Sequence, residues 1–240
     1  MLEVIDYNKI KRYKKYLPFD SYNNSKLYYD KDLIHKILFC ETPDLNIILN
    51  MVDKLKLDEL IEIKNLIYKN GNMVGYTVKN YKQYKSLNKF KNRKFELKRQ
   101  DCIKLVKSFD NILKNNLSYI DFHLSNILLN PKNNDIKICD LDGLILNTGK
   151  ESEEIGLKKL LILILTYLYN INQIHIRNVF IGNENIENTF IDICLDDEKL
   201  NINYILNVIE NIKYKDVIKE KRLIINKSKE LMYTGYSKFL

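Results

Sequence analysis

The sequence predicts an α+β chain: a small antiparallel, β-rich N-terminal lobe with one helix (residues 1–81), then a larger, mainly helical C-terminal lobe (82–240). Three observations predict it. Short apolar runs separated by turn residues recur between 27 and 78. Apolar residues at helical spacing dominate from about 99 onward. Within the later region, two apolar runs around 127–139 carry acids and an amide at their ends.

Residues 1 to about 20 are polar with Tyr and Lys and read as a lead-in segment. Leu27-Tyr28-Tyr29 and Leu33-Ile34-His35-Lys36-Ile37-Leu38 flank Asp30-Lys31-Asp32, a strand–turn–strand signal. Thr42-Pro43-Asp44 reads as a helix start with Pro in the first turn, and Leu45, Ile48, Leu49, Val52 and Leu55 follow at helical spacing. Leu60–Ile63, Leu66–Tyr68 and Met73–Val78 read as further strands, broken by Lys69-Asn70-Gly71-Asn72. They lead into the connector Lys79-Asn80-Tyr81. Cys102, Ile103, Val106, Phe109, Ile112 and Leu113 make one helical stripe. Ser152-Glu153-Glu154 opens a helix that is apolar nearly all round from Leu160 and so belongs in a core. Helices are also expected near 201–211 and 216–232.

The chain has 240 residues, 45% of them hydrophobic, enough for one large domain or two small lobes. Its net charge of +8 comes from lysines scattered among acids, which solvated faces explain. The densest basic stretch, Lys79 to Arg99, interleaves Tyr81, Tyr84, Phe90 and Phe95 and makes a basic nucleic-acid-binding module the lesser alternative; no recognition motif accompanies it, so a nucleic-acid partner is not the expectation. No pair among Cys40, Cys102, Cys139 and Cys194 has C-x-x-C spacing; reduced thiols in a cytoplasmic protein are the expectation. The N-terminus lacks signal-peptide shape. The longest apolar run, Leu160 to Tyr169, is about half of what a membrane span needs, so no span is expected.

The chemistry concentrates in Asp121-Phe-His-Leu-Ser-Asn126. A hairpin follows, Ile127-Leu128-Leu129 and Ile136-Lys137-Ile138-Cys139 around the break at Asn130–Asn134, and it delivers Asp140-Leu141-Asp142-Gly143. Two carboxylates and a carboxamide at this spacing suit a magnesium-nucleotide: one carboxylate and the amide oxygen hold metal, and the other carboxylate orients an acceptor hydroxyl. The stretch resembles the catalytic loop and metal-binding Asp of the protein-kinase-like superfamily, a resemblance that implies Asn126 and Asp140 as the magnesium ligands and Asp121 as the residue that orients the acceptor. Asp121-Phe-His123 looks most like the aminoglycoside and choline phosphotransferase branch.

The resemblance spans about residues 21–170 and implies a two-lobed fold, ATP and Mg as cofactors, and phosphoryl transfer to a small molecule or a protein Ser/Thr. It assigns Lys36 as the strand lysine that anchors the α- and β-phosphates. It puts Ile34, Val78, Leu128 and Cys139 around adenine, with the backbone of Lys79 to Tyr81 as hinge. Tyr119 stands at the usual loop histidine, and His123 is expected to pack within the loop. Four departures matter. The phosphate loop, Ser21-Tyr22-Asn23-Asn24-Ser25-Lys26, has no glycine, leaving Ser25 as a hydroxyl donor. The helix glutamate that pairs with the lysine is missing; Asn50 falls nearest, with Asp53 and Glu41 as alternatives. Asp142 stands where kinases have glycine, as a further metal ligand or a solvated acid. Only eight residues separate Gly143 from Ser152, too few for an activation segment. The missing glycines and helix acid keep a second reading open, a nucleotide-binding pseudokinase scaffold.

Overall fold

The computed structural model describes residues 2–16, 25–40, 44–181, 190, 191, 193, 196 and 198–233. Ser21–Asn24 of the expected phosphate loop, Glu41, Thr42, Pro43 and Cys194 lie outside them. The chain is mixed α+β and forms two compact units. The first is 1–85 with 125–146, and the second is 86–124 with 147–240. The expected division at 81 thus differs from the observed one in a specific way: the hairpin segment belongs with the N-terminal residues.

The first unit is built on a six-stranded sheet ordered β1-β5-β6-β4-β3-β2. Its strands are β1 (Glu3–Asp6), β2 (Lys14–Tyr16), β3 (Ser25–Asp30), β4 (Leu33–Leu38), β5 (Ile63–Lys69) and β6 (Asn72–Lys79). All neighbours are antiparallel except β1, which runs parallel to β5. The lead-in reading of residues 1–20 is therefore corrected. Residues 3–6 form an edge strand and α1 (Tyr7–Ile10) follows, capped by Asp6. An edge strand is held by backbone amides, which side-chain composition does not report. Ile10, Ile37 and Ile67 make a buried cluster, with Ile5, Tyr7, Tyr28 and Val74 packed on it. Lys31 and Asn70 adopt positive φ in the tight turns between β3 and β4 and between β5 and β6.

Helix α2 (Leu45–Leu55) buries Leu45, Ile48, Leu49 and Val52 on one stripe. It begins at Leu45, after the expected opening, with Asp44 left-handed and making no side-chain cap. The ribbon of β9 (Ile127–Leu129) and β10 (Ile136–Ile138) joins this unit through residues 58–61. Ile61 N donates to Ile138 O at 3.1 Å, and Ile138 N donates to Glu59 O at 2.7 Å. Leu60 bridges Ile138 in parallel, and Lys137 donates to the Asp58 carbonyl. Because residues 58–61 run directly into β5, the ribbon is tied to the sheet. The last strand of the unit is β11 (Leu144–Leu146).

The second unit contains a short strand β8 (Leu117–Tyr119) and helices α3 (Phe95–Lys114), α4 (Lys150–Leu168), α5 (Gln173–Ile181), α6 (Ile202–Asn211) and α7 (Tyr214–Tyr233). The expected α3 stripe is partly corrected. Leu105 is buried, while Ile103 and Leu113 are half-buried. Lys98 and Asp101 join the buried side because partners await them. Asp101 accepts from Arg93 and from the Tyr167 hydroxyl, each at 2.8 Å, and Lys98 donates to Tyr167 O at 3.0 Å. Helix α4 starts at Lys150 and is buried nearly all round from Leu160 through Leu168. Ser152 is therefore not its N-cap; its hydroxyl lies 2.6 Å from Asn147 Oδ1 and 2.8 Å from Gly149 O. Gly156 lets α4 approach β8: a Cβ there would sit 2.6 Å from Ser118 Oγ. Among the described residues, no helix is long and apolar enough to cross a membrane.

Candidate functional site

Cross-strand register determines which side chains share a face of the sheet. Opposite β4, Ile34 pairs with Val78 and Lys36 with Tyr76 on β6. On its other side Leu27 pairs with Lys36, Tyr29 with Ile34 and Ser25 with Leu38. One face thus carries Ser25, Ile34, Lys36, Tyr76 and Val78, four of which the sequence singles out. His35, Thr77 and Ile37 point to the other face. The backbones of β4 and β6 approach closely at Gly75, where a Cβ would overlap the Lys36 carbonyl oxygen.

Lys36 is buried, with only 11% of its side chain exposed. Such an ammonium needs compensating charge. It ion-pairs with Asp140 and lies 2.6 Å from Asp142 Oδ1. The ribbon positions these acids. Cys139 N donates to Asn126 O at 2.8 Å, continuing the β9–β10 pairing, and the backbone turns at Asp140, which is left-handed at φ 67. A short 3₁₀ turn, Leu141–Gly143, follows with Gly143 N donating to Asp140 O at 3.0 Å. Leu141 and Gly143 are buried, so Asp142 projects from an anchored turn.

Asp142 Oδ1 also accepts the Tyr76 hydroxyl at 2.7 Å. The Tyr76 ring is buried, and burial first, then the Asp142 charge, holds its hydroxyl well above the usual phenol range. The phenol therefore stays protonated and donates. Tyr76 is the group that sequence reasoning missed. Its only sequence signal is its place on a strand; its pairing with Lys36 and Asp142 depends on register.

Of the residues expected around adenine, Val78 is buried, and Ile34, Leu128 and Cys139 are half-buried. Cys139 Sγ lies 3.2 Å from Asn126 O. Lys79 N donates to Glu62 O at 2.9 Å, and the Tyr81 hydroxyl accepts from Glu62 N at 3.2 Å. The Lys79 amide is therefore engaged within its own unit. The Ser125 hydroxyl lies 3.4 Å from Asn126 Oδ1. Asn50, nearest to the expected helix acid, instead donates to Asn46 O at 2.8 Å within α2, and Asp53 pairs with Lys56.

Asp121 belongs to the second unit. It is half-exposed, with His123 Nε2 at 3.1 Å and its carbonyl accepting from His123 N at 2.9 Å. The loop is anchored by Phe122, whose ring meets Tyr119 and Phe109 edge-on, with centroids 4.9 and 5.2 Å away. Tyr119 is buried as a packing residue in this cluster.

Asp140 and Asp142 bring two negative charges against the single charge of Lys36, and Asn126 adds an amide oxygen nearby in the chain. Hard oxygen donors with net negative charge fit magnesium. That ion is commonly held by one or two carboxylates together with substrate phosphates, not by an all-protein cage. No group of three or more His, Cys, Asp or Glu residues is gathered for a metal among the described residues. No protein-family model matches the chain, and no curated protein matches it.

Proposed function

We propose that this protein is an ATP- and magnesium-dependent phosphotransferase with a two-lobed kinase-like fold, moving the γ-phosphoryl group to a hydroxyl of a small molecule or a protein Ser/Thr. The observation that carries the reading is the meeting of Lys36 on β4 with Asp140 after β10, from positions 104 residues apart. A strand lysine beside a carboxylate at the end of a hairpin is what a metal-bound triphosphate requires.

In this reading Lys36 binds the α- and β-phosphates, and Asn126 and Asp140 hold magnesium. Asp121 orients the acceptor hydroxyl and accepts its proton as the oxygen attacks phosphorus and the ADP oxygen leaves. Bound magnesium would neutralise charge on the phosphate oxygens. Ile34, Val78, Leu128 and Cys139 would provide the apolar surface for adenine. The reading implies the cytoplasm, where ATP is abundant; Cys40 and Cys102 are free thiols. A nucleotide-binding pseudokinase is the second reading, favoured by the lack of glycine between Ser21 and Lys26.

Thermal unfolding with nucleotide tests the reading. At a hundredfold excess over Kd, ATP with magnesium should stabilise the fold by about 2.7 kcal/mol. In a chain this long that is roughly 5–10 °C in Tm. Asp140→Asn should remove the magnesium-dependent part. Asp121→Ala should keep the shift but slow transfer by about a hundredfold or more. No shift in the wild type would end the nucleotide reading. A shift without transfer above the Asp121→Ala background would select the pseudokinase.

A further inference from the structure

We propose that Asp142, fixed by Tyr76, is the positioning residue for Lys36 and takes the place of a helix acid. The inference rests on the phosphotransferase reading and deepens it. A phosphate-binding lysine has a flexible stem, so a partner must fix its ammonium before phosphate arrives.

Helix α2 offers no such partner among the described residues. The Asn50 amide is spent on Asn46, and Asp53 holds Lys56. Two carboxylates do reach Lys36, and they differ. Asp140 follows the ribbon directly and is the one assigned to metal. Asp142 is bonded on the same oxygen by two donors, Lys36 Nζ at 2.6 Å and Tyr76 Oη at 2.7 Å. Tyr76 is the direct cross-strand neighbour of Lys36, and the ammonium lies 6.0 Å from its ring centroid. Lysine, phenol and carboxylate thus form a closed triangle. Two corners are fixed to adjacent strands and the third to an anchored turn. Charge-assisted hydrogen bonds of this kind are the strong ones.

Two measurements test it. The first needs no nucleotide: NMR relaxation of the Lys36 ε-methylene, assigned by its loss in Lys36→Arg. The order parameter should be in the rigid range in wild type and fall below about 0.6 in Asp142→Asn and Tyr76→Phe. The second compares ATP and adenosine binding in EDTA. Asp142→Asn should weaken ATP about tenfold and leave adenosine unchanged, and Asp142→Glu should restore part of the loss.

An unchanged order parameter in both variants would overturn the proposal, as would an ATP loss seen only with magnesium, which would make Asp142 a metal ligand. If the wild type binds no ATP in either condition, the phosphotransferase reading falls and takes the positioning role with it. ATP binding weakened by Lys36→Ala but untouched by Asp142→Asn would instead leave that reading standing and remove this one.

Discussion

Lys36 shows how a buried charge is stabilised at the scale of one residue: taken out of water, it is compensated by two carboxylates, one of them steadied by a buried phenol. Its neighbour His35 takes the other route and stays neutral. It is buried on the opposite face, its Nδ1 lies 2.8 Å from Thr77 Oγ1, and the Tyr13 ring stacks on it at 5.0 Å. Its Nε2 is buried with no hydrogen-bond partner among the described residues. Burial, partly opposed by the Asp30 charge, holds its pKa below the ordinary 6.5. The sign follows from linkage: below pH 6.5 the unfolded chain takes up the proton and the folded chain resists it. Stability is therefore complete above that pH and is lost as pH falls towards the depressed folded value. Between pH 7.5 and 5.5 the wild-type Tm should drop more than that of His35→Gln. Parallel pH curves would show that His35 is not the group. At this scale Lys36 and Asp140 were legible, one from its apolar strand neighbours and the other from the hairpin that ends at it. Tyr76 and the second bond of Asp142 were not, because register joins residues that sequence spacing leaves unrelated.

Elements carry the site through one tight approach. Strands β4 and β6 come together at Gly75, opposite Ile37, where any Cβ would overlap the backbone of Lys36 and Ile37. Gly75→Ala should therefore cost about 3 kcal/mol, the range of strained overpacking, and displace Lys36 from its acids. Chemical denaturation would give the cost, and loss of ATP binding the displacement. An alanine variant with wild-type stability and affinity would disprove the close approach. Strands β3 to β6 and helices α2 to α4 were legible because apolar runs, turn residues and helical spacing agree there. The ends and edges were not. Ser152 has the chemistry of an N-cap, but its hydroxyl is used inside the first turn of α4. Ile103 and Leu113 are apolar, yet Lys98 and Asp101 take the buried places because Tyr167 and Arg93 complete their hydrogen bonds. In the second case tertiary partners override what local composition favours.

At the scale of the molecule, chain order and spatial order separate. The first unit is assembled from 1–85 and 125–146, with residues 86–124 assigned to the second unit. Hydrophobic periodicity reads along the chain and so places a boundary near 81; it cannot see that a later ribbon returns to an earlier sheet. That return has a consequence for folding. The ribbon supplies partners to residues 59–61: the Ile138 carbonyl accepts from Ile61 N, and Ile138 N donates to Glu59 O. Leu60 and Ile61 are buried. Cut from the ribbon, a fragment of residues 1–85 exposes these apolar side chains and leaves the backbone groups to water. It also leaves Lys36 in a sheet without Asp140 and Asp142. Each protein hydrogen bond exchanged for water costs about 0.5–1.5 kcal/mol, and a unit this small has little stability to spare. The 1–85 fragment should therefore melt without a cooperative transition by circular dichroism. Adding a peptide of residues 125–146 should restore part of the transition, since a segment that binds only the folded state stabilises it by mass action. A cooperative melt of the fragment alone at the full-chain Tm would mean that the ribbon is an accessory to the sheet, and that Lys36 can be held without the acids it meets there.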